Sequence, residues 1–184
     1  MKRFLIFAGV TVAVILVLGS TVMFFMRKHT KSFSPEQETT FNQGDLVISV
    51  VYNRPYKKDR VIFGELVPYD EVWRTGANEA TTFETNKSIT IEGKTLPAGK
   101  YSLWTIPGHE TWTILFNSKF GQWGVNYEGK PNHDPAHDVL SVDIRAVQQD
   151  HEIEQFTIQF EDNDGDIEMV LLWDKTLVAV PITH

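Results

Sequence analysis

The sequence predicts an all-β domain, an antiparallel β-sandwich of jelly-roll or flattened-barrel type, preceded by one N-terminal transmembrane helix. Three observations predict it. From about Gly44 to the end, short apolar runs alternate with polar residues at period two. Turn signals rich in Gly, Pro, Asn and Asp separate those runs, and none keeps a helical period over ten residues. Residues 4–26 are the exception, an apolar stretch without a charge.

That stretch comes first in the chain. At about 1.5 Å per residue a helix of this length crosses a hydrocarbon core of roughly 30 Å. The apolar part of a cleaved signal peptide is shorter, about 7–15 residues. The reading is therefore a retained single-pass anchor. Lys2 and Arg3 flank one end, and Arg27, Lys28 and Lys31 the other. The flanks barely decide orientation. A short N-terminal tail before one apolar segment favours a domain outside the cytoplasm. Residues 32–43 are polar with little periodicity and read as a linker.

The domain is expected over 44–184. Leu46, Ile48, Val50 and Tyr52 alternate with polar or smaller residues until Pro55. Val61–Phe63, Thr81–Thr85 and Ser88–Glu92 are short strand candidates, the last leading into a turn at Gly93-Lys94. Pro97-Ala98-Gly99 turns the chain into a strand through Tyr101, Leu103 and Thr105. Pro107-Gly108 turns it again into Trp112–Phe116. Residues 121–135 look irregular. Val139–Ala146 alternates most clearly, with Leu140, Val142, Ile144 and Ala146 on one face. Phe156–Phe160, Ile167–Trp173 and Leu177–Ile182 complete the series. Asp162-Asn163-Asp164-Gly165 between two of them predicts a hairpin tip, because its Gly and acids miss the calcium-loop spacing.

Charge narrows the partners. The chain of 184 residues carries a net charge of −7. Five of its 17 Lys and Arg fall in residues 1–31, which hold no acid, so residues 32–184 carry −12. Such a domain repels nucleic-acid phosphates and anionic lipid surfaces. The expected partners are the membrane through residues 4–26, and a small molecule, a glycan or a protein at the domain. There is no cysteine, so neither thiol chemistry nor lipid attachment at cysteine is available. No cofactor-binding or phosphate-binding loop is present. His133 and His137 are four residues apart, but Pro135 between them opposes the helix that would align them as metal ligands.

The candidate site is the aperiodic stretch Gly64–Thr81, above all Arg74, Asn78 and Glu79. One reading is a polar pocket. Arg74 would clamp a carboxylate or phosphate, Glu79 would accept a proton or hydrogen bond, and Asn78 would orient. The other is a loop knotted by its own side chains, with Arg74 paired to Glu79 or Glu71 and Gly76 in a left-handed turn. Trp123, between Gln122 and Gly124, and Arg54 are candidate wall residues. Trp104, Trp112 and Tyr127 could extend a stacking platform, although aromatic residues in such strands usually build the core.

One family shares these residues in order. Arg54-Pro55, Ile62-Phe63-Gly64, Leu66-Val67-Pro68-Tyr69 and Val72–Thr81 are followed by Leu96–Leu103 and Ile106-Pro107-Gly108. Trp112-Thr113-Ile114, Gln122-Trp123-Gly124, Asp138-Val139-Leu140, Trp173 and Val180-Pro181-Ile182 complete the set. In them the chain resembles a bacterial family catalogued as a domain of unknown function, DUF2911. Asp59-Arg60 departs from the family's frequent Gly-Arg, and Ser141 from its frequent Arg. The resemblance implies an extracytoplasmic β-sandwich, often with an export signal, and transfers no catalytic residue. The expectation is a non-catalytic module binding a ligand, glycan or partner at the bacterial cell envelope. The alternatives are an envelope hydrolase, with Glu79 as general base and Arg74 stabilising charge, and a structural component of an envelope complex.

Overall fold

A computed structural model describes residues 2–163 and 166–184, with side chains over 9–162 and 167–184. It contains two units, residues 1–33 and 34–184. The first is helix α1, Lys2–Phe33. Its portion Gly9–Phe33 is long and apolar enough to cross a membrane, a test of length and composition that a signal sequence also meets. The helix is apolar on every side, which no single buried stripe would require. Within Gly9–Phe33 the Ser20 and Thr21 hydroxyls donate to the carbonyls of Leu16 and Val17, the kind of internal bonding that a helix crossing lipid requires.

The second unit is all antiparallel. Its strands are β1 (Glu36–Gln43), β2 (Leu46–Asn53), β3 (Thr81–Thr85), β4 (Ile89–Ile91), β5 (Lys94–Leu96), β6 (Gly99–Pro107), β7 (Thr111–Asn117), β8 (Asp138–Asn163) and β9 (Asp166–Thr183). They form one open sheet in the order β1-β2-β3-β6-β7-β8-β9-β4-β5. All sequence neighbours are sheet neighbours too, except β3 with β4 and β5 with β6. The hairpin β4–β5 instead crosses to the far edge and pairs through β4 with β9.

The turn of β8 from one ladder to another folds the sheet. Residues 138–145 of β8 pair with β7, and from Ala146 onward the strand pairs with β9, with register shifts between Gln148 and Thr157. Past that bend the strand has lost β7, so one edge needs new partners. The end of β2 supplies them. Tyr52 Oη donates to the Ile158 carbonyl at 3.1 Å and accepts from the Ile158 N–H at 2.8 Å. Two residues earlier, Phe156 N–H donates to the Pro55 carbonyl at 3.0 Å and Arg54 Nε donates to the Phe156 carbonyl at 3.0 Å. Positions 156 and 158 point the same way because strand geometry repeats every two residues. The two arms of the sheet thus face one another, and Phe41 on β1 meets Phe160 on β8 with ring centres 5.8 Å apart.

Between the arms lies the core. Leu46, Ile48, Val50 and Tyr52 enter from one side, and Phe156, Ile158, Met169, Leu171 and Trp173 from the other. At its centre Trp73 stacks on Trp173 at 5.9 Å, and Phe63 meets Trp112 edge-on at 5.0 Å. Leu140, Val142, Ile144 and Ala146 are all buried, as their alternation predicts.

Four local expectations change. Residues 36–43, read as part of a linker, form β1 and pair with β2 along their full length, from Glu36↔Asn53 to Gln43↔Leu46. A polar edge strand carries little apolar periodicity because only Phe41 turns to the core, and its charges discourage further pairing. The segments around 139–146 and 156–160 merge into β8, and those around 167–173 and 177–182 into β9. Val61–Phe63 forms no strand; Phe63 makes only an isolated bridge to Val67. The turn read at Gly93-Lys94 begins one residue earlier, with Glu92 (φ +47°) and Gly93 (φ +73°) at its centre and Ile91 paired to Lys94. The β8–β9 hairpin is paired out to Asn163↔Asp166; Asp164 and Gly165 of the expected tip lie outside the described residues.

Candidate functional site

The corner around Arg74 is built on a loop tied at both ends. Trp73 N–H donates to the Thr105 carbonyl on β6 at 2.7 Å, and Thr105 N–H returns a bond to Trp73 at 3.0 Å. Trp73 faces the main core. Side chains alternate across an extended segment, so Arg74 faces the opposite layer. Residues 78–80 of the same loop pair with 122–124: Gly124 N–H donates to the Asn78 carbonyl, Ala80 N–H to the Gln122 carbonyl, and Glu79 lies opposite Trp123. A side chain at Gly124 would run into Cδ, Cβ and Cγ of Arg74, the last two at 2.7 and 2.9 Å. Gly124 is therefore required because the arginine stem lies against it. The structure brings Arg74, Asn78, Glu79 and Trp123 into one corner.

The loop between these ties is held by side chains other than Arg74. Trp73 Nε1 donates to the Gly76 carbonyl at 3.1 Å. Thr81 Oγ1 donates to the Thr75 carbonyl at 2.6 Å, and Thr75 Oγ1 lies 3.2 Å from Thr105 Oγ1. Asn53, buried at the end of β2, gathers the rest. Its Nδ2 donates to Glu79 Oε2 at 3.2 Å, its Oδ1 accepts from Asn78 Nδ2 at 3.4 Å, and its carbonyl accepts from Ala77 N–H. Gly76 has φ +149° and leaves room for that carbonyl, since a Cβ there would sit 2.8 Å from it. Thr75 (φ +54°) and Asn78 (φ +60°) are also left-handed. Asn tolerates that region; a β-branched Thr does so at a cost of about 1–3 kcal/mol.

Arg74 is what the knot leaves over. Its Nε is buried with no hydrogen-bond partner, although the residue as a whole is half-buried. Burial pulls its pKa below the ordinary arginine value. An arginine starts so far above neutral pH that it stays charged. The expected pairing with Glu79 or Glu71 is thus replaced: Asn53 holds the Glu79 carboxylate, and Arg74 has no ion pair among the described residues. Gln122 Oε1 in the paired segment is likewise buried and unpartnered.

The other candidates separate. Arg54 does not join the corner. Its guanidinium bonds the Phe156 carbonyl and, at 2.7 Å, Thr157 Oγ1, so it seals the bend of β8. Trp112 belongs to the main core and Trp104 to a smaller cluster with Ala80 and Leu115. Tyr127 is fully exposed, while Trp123 is half-buried. The stacking platform is therefore not assembled as a set.

Sequence reading missed two groups. Asn53 was legible only as a polar residue ending an apolar strand. The second group lies over Trp104, where the His133 ring sits 5.3 Å from the indole. His133 Nε2 is 2.8 Å from Asp138 Oδ1, which also accepts from the buried Asn117 Nδ2 at 2.8 Å. His137 Nδ1 instead pairs with Asp134 at 3.0 Å. The four residues thus form two separate pairs, and no group of three or more metal-ligating side chains occurs among the described residues.

These features define a class: an antiparallel all-β domain behind a helix able to span a membrane, with a polar corner on a strained loop. The chain belongs to the family described as Protein of unknown function (DUF2911), whose sequence model matches residues 34–182. No curated protein and no solved structure matches the chain.

Proposed function

We propose that the protein is a membrane-anchored, non-catalytic binding module of the bacterial cell envelope, its domain outside the cytoplasm and its ligand held at Arg74, Asn78, Glu79 and Trp123. The observation that carries this reading is the Arg74 guanidinium. A desolvated cation without a counter-charge is costly, and arginine is suited to carboxylates, phosphates and other planar acceptors. The knot of Asn53, Trp73, Thr75 and Thr81 already accounts for the loop's shape, so Arg74 is spare for a ligand. Strain at Thr75 supports the same reading, since strained backbone concentrates where ligands are held.

The test is a thermal-shift screen of the full-length chain in detergent against sugars, organic acids and divalent ions, run beside Arg74→Gln. The expected result is one class that raises the melting temperature of the wild type and not of the variant. Stabilisation by no class, together with a variant that melts far below the wild type, would assign Arg74 to the knot and end the proposal. Reporter fusions at the two termini test orientation; activity of the C-terminal fusion on the cytoplasmic side overturns that part.

A further inference from the structure

We infer that the domain docks on the lipid surface through the loop after β2, with Tyr56, Val61 and Leu66 set into the interface of the bilayer; this rests on the membrane anchor proposed above and not on the Arg74 corner. The first observation is an exposed apolar patch. Tyr56, Val61 and Leu66 are 38, 55 and 42 % exposed. They share one loop. Leu66 N–H donates to the Val61 carbonyl at 3.3 Å, and the Arg60 side chain donates to the carbonyls of Tyr56 and Lys57, closing the turn between Tyr56 and Val61. One step along, Val67 N–H donates to the Ile62 carbonyl at 2.9 Å, and the Ile62 and Val67 side chains are buried. The same two stretches send one apolar pair inward and leave the other outside. A patch of that kind marks an interaction surface.

The second observation says what covers it. Helix α1 ends at Phe33 and β1 starts at Glu36, so only Ser34 and Pro35 join them. The Pro35 carbonyl accepts from Arg54 N–H at 2.9 Å, and Glu36 pairs with Asn53, so the chain enters the domain beside the first residue of this loop. Charge-free sequence ends at Met26. From Arg27 to Phe33 a helix rises about 10 Å, two extended residues add at most about 7 Å, and the headgroup layer of one leaflet takes up about 5–8 Å of that. The entry point therefore lies within about 12 Å of the headgroup surface. A domain of this size has a radius of gyration of about 15 Å, so it does not hang clear of the bilayer. The side of it nearest the lipid is the side at Pro35. Charge agrees with an apolar contact. Lys57 pairs with Glu152 at 2.8 Å and Asp174 at 2.9 Å, and Glu154 Oε1 accepts from Lys58 N–H at 2.9 Å. Acids of the β8 bend thus face the basic turn, and the strongly acidic domain offers lipid a patch with little net charge. Tyrosine suits such an interface, with its ring in apolar surroundings and its hydroxyl in water. Docking then depends on apolar burial in a zwitterionic surface, not on attraction to anionic lipid.

The chain has no cysteine, so a single introduced thiol labels one place. Full-length Tyr56→Cys, Leu66→Cys and Val47→Cys, each carrying a fluorophore, are reconstituted into phosphatidylcholine vesicles with and without lipid-linked nitroxide quenchers. Val47 is the control: it is 39 % exposed on β2, and about 20 Å of strand separates it from Asn53. Labels at 56 and 66 are expected to be quenched and the label at 47 not, and the quenching should persist in about 1 M salt, which screens charge. Half-burial of a valine and a leucine favours the docked state about 10–100-fold. Adding Val61→Asp and Leu66→Asp to Tyr56→Cys should lower the ratio of docked to free domain by that factor and bring quenching at 56 to the level at 47. Val61→Ser with Leu66→Ser is the second variant, with the same direction expected, if the aspartates unfold the domain.

Equal quenching at 47, 56 and 66 in a chain that floats with the vesicles would overturn the docking and leave the anchor standing. A chain that does not float with them rejects both. Quenching that vanishes in high salt would assign the contact to charge and end the inference. So would quenching that survives the double substitution. Labels at 56 and 66 that dim as the protein-to-lipid ratio rises, without any nitroxide, would place a second copy of the chain on the patch instead of lipid.

Discussion

Replacing Tyr52 by Phe tests the sealing of the sheet's bend with the loss of one oxygen. The Tyr52 hydroxyl makes two bonds, 2.8 Å from the Ile158 nitrogen and 3.1 Å to its carbonyl oxygen, inside the core. The ring is unchanged, so its packing against Phe156 at 5.7 Å persists and no cavity opens. The cost is therefore that of two buried backbone groups left without a partner, about 1–3 kcal/mol each. Phe gains a little by not burying a hydroxyl, so the expected net loss is about 2–4 kcal/mol. For a domain of this size that lowers the melting temperature by about 5–15 °C. Denaturant unfolding of the full-length chain, followed by tryptophan fluorescence, measures the loss directly. A second readout is pH. Burial raises the Tyr52 pKa above its ordinary value of 10.0, so above that pH the unfolded chain releases a proton that the folded one keeps. Stability must then fall as pH rises past 10, and Tyr52→Phe should flatten part of that fall; Tyr101, also raised by burial, keeps the remainder. A loss below about 0.5 kcal/mol with an unchanged alkaline slope would mean that the hydroxyl does not secure β8.

Two further substitutions address the loop. Gly76→Ala puts a methyl 2.8 Å from the Asn53 carbonyl at φ +149°, and a loss of at least about 2 kcal/mol is expected in the same unfolding assay. A neutral outcome would show that the loop shifts freely. Asn53→Asp replaces a donor to Glu79, at 3.2 Å, by a second carboxylate. Two acids that close share a proton, so the variant should be destabilised at neutral pH and recover as the pH falls below about 5. Stability that is independent of pH in that range would exclude contact between the two side chains.

Legibility followed the range of the interactions. The anchor depends on composition, and the strands through Leu46–Tyr52 and Val139–Ala146 on alternation. Both are local, so sequence displayed them. Strand β1 escaped because main-chain bonds to β2 hold it, and an edge strand needs few apolar residues. The division of residues 139–163 into two strands was mistaken because the register shifts between Gln148 and Thr157 interrupt the alternation while the backbone runs on. In the candidate site, left-handed Gly76 and the polar character of Arg74, Asn78 and Glu79 were legible. Their partners were not: Asn53 lies 25 residues before Asn78, Gly124 lies 50 after Arg74, and Arg54, equally basic, proved to serve β8.

Sequence by itself determined an apolar segment able to cross a bilayer and a domain of alternating strands, because hydropathy and pleat periodicity are properties of neighbouring residues. Only the tertiary structure decided which arginine seals a strand edge and which is left without a counter-charge. A charge finds its partner through space, and the distance along the chain between Arg74 and the residues packed around it carries no record of that meeting.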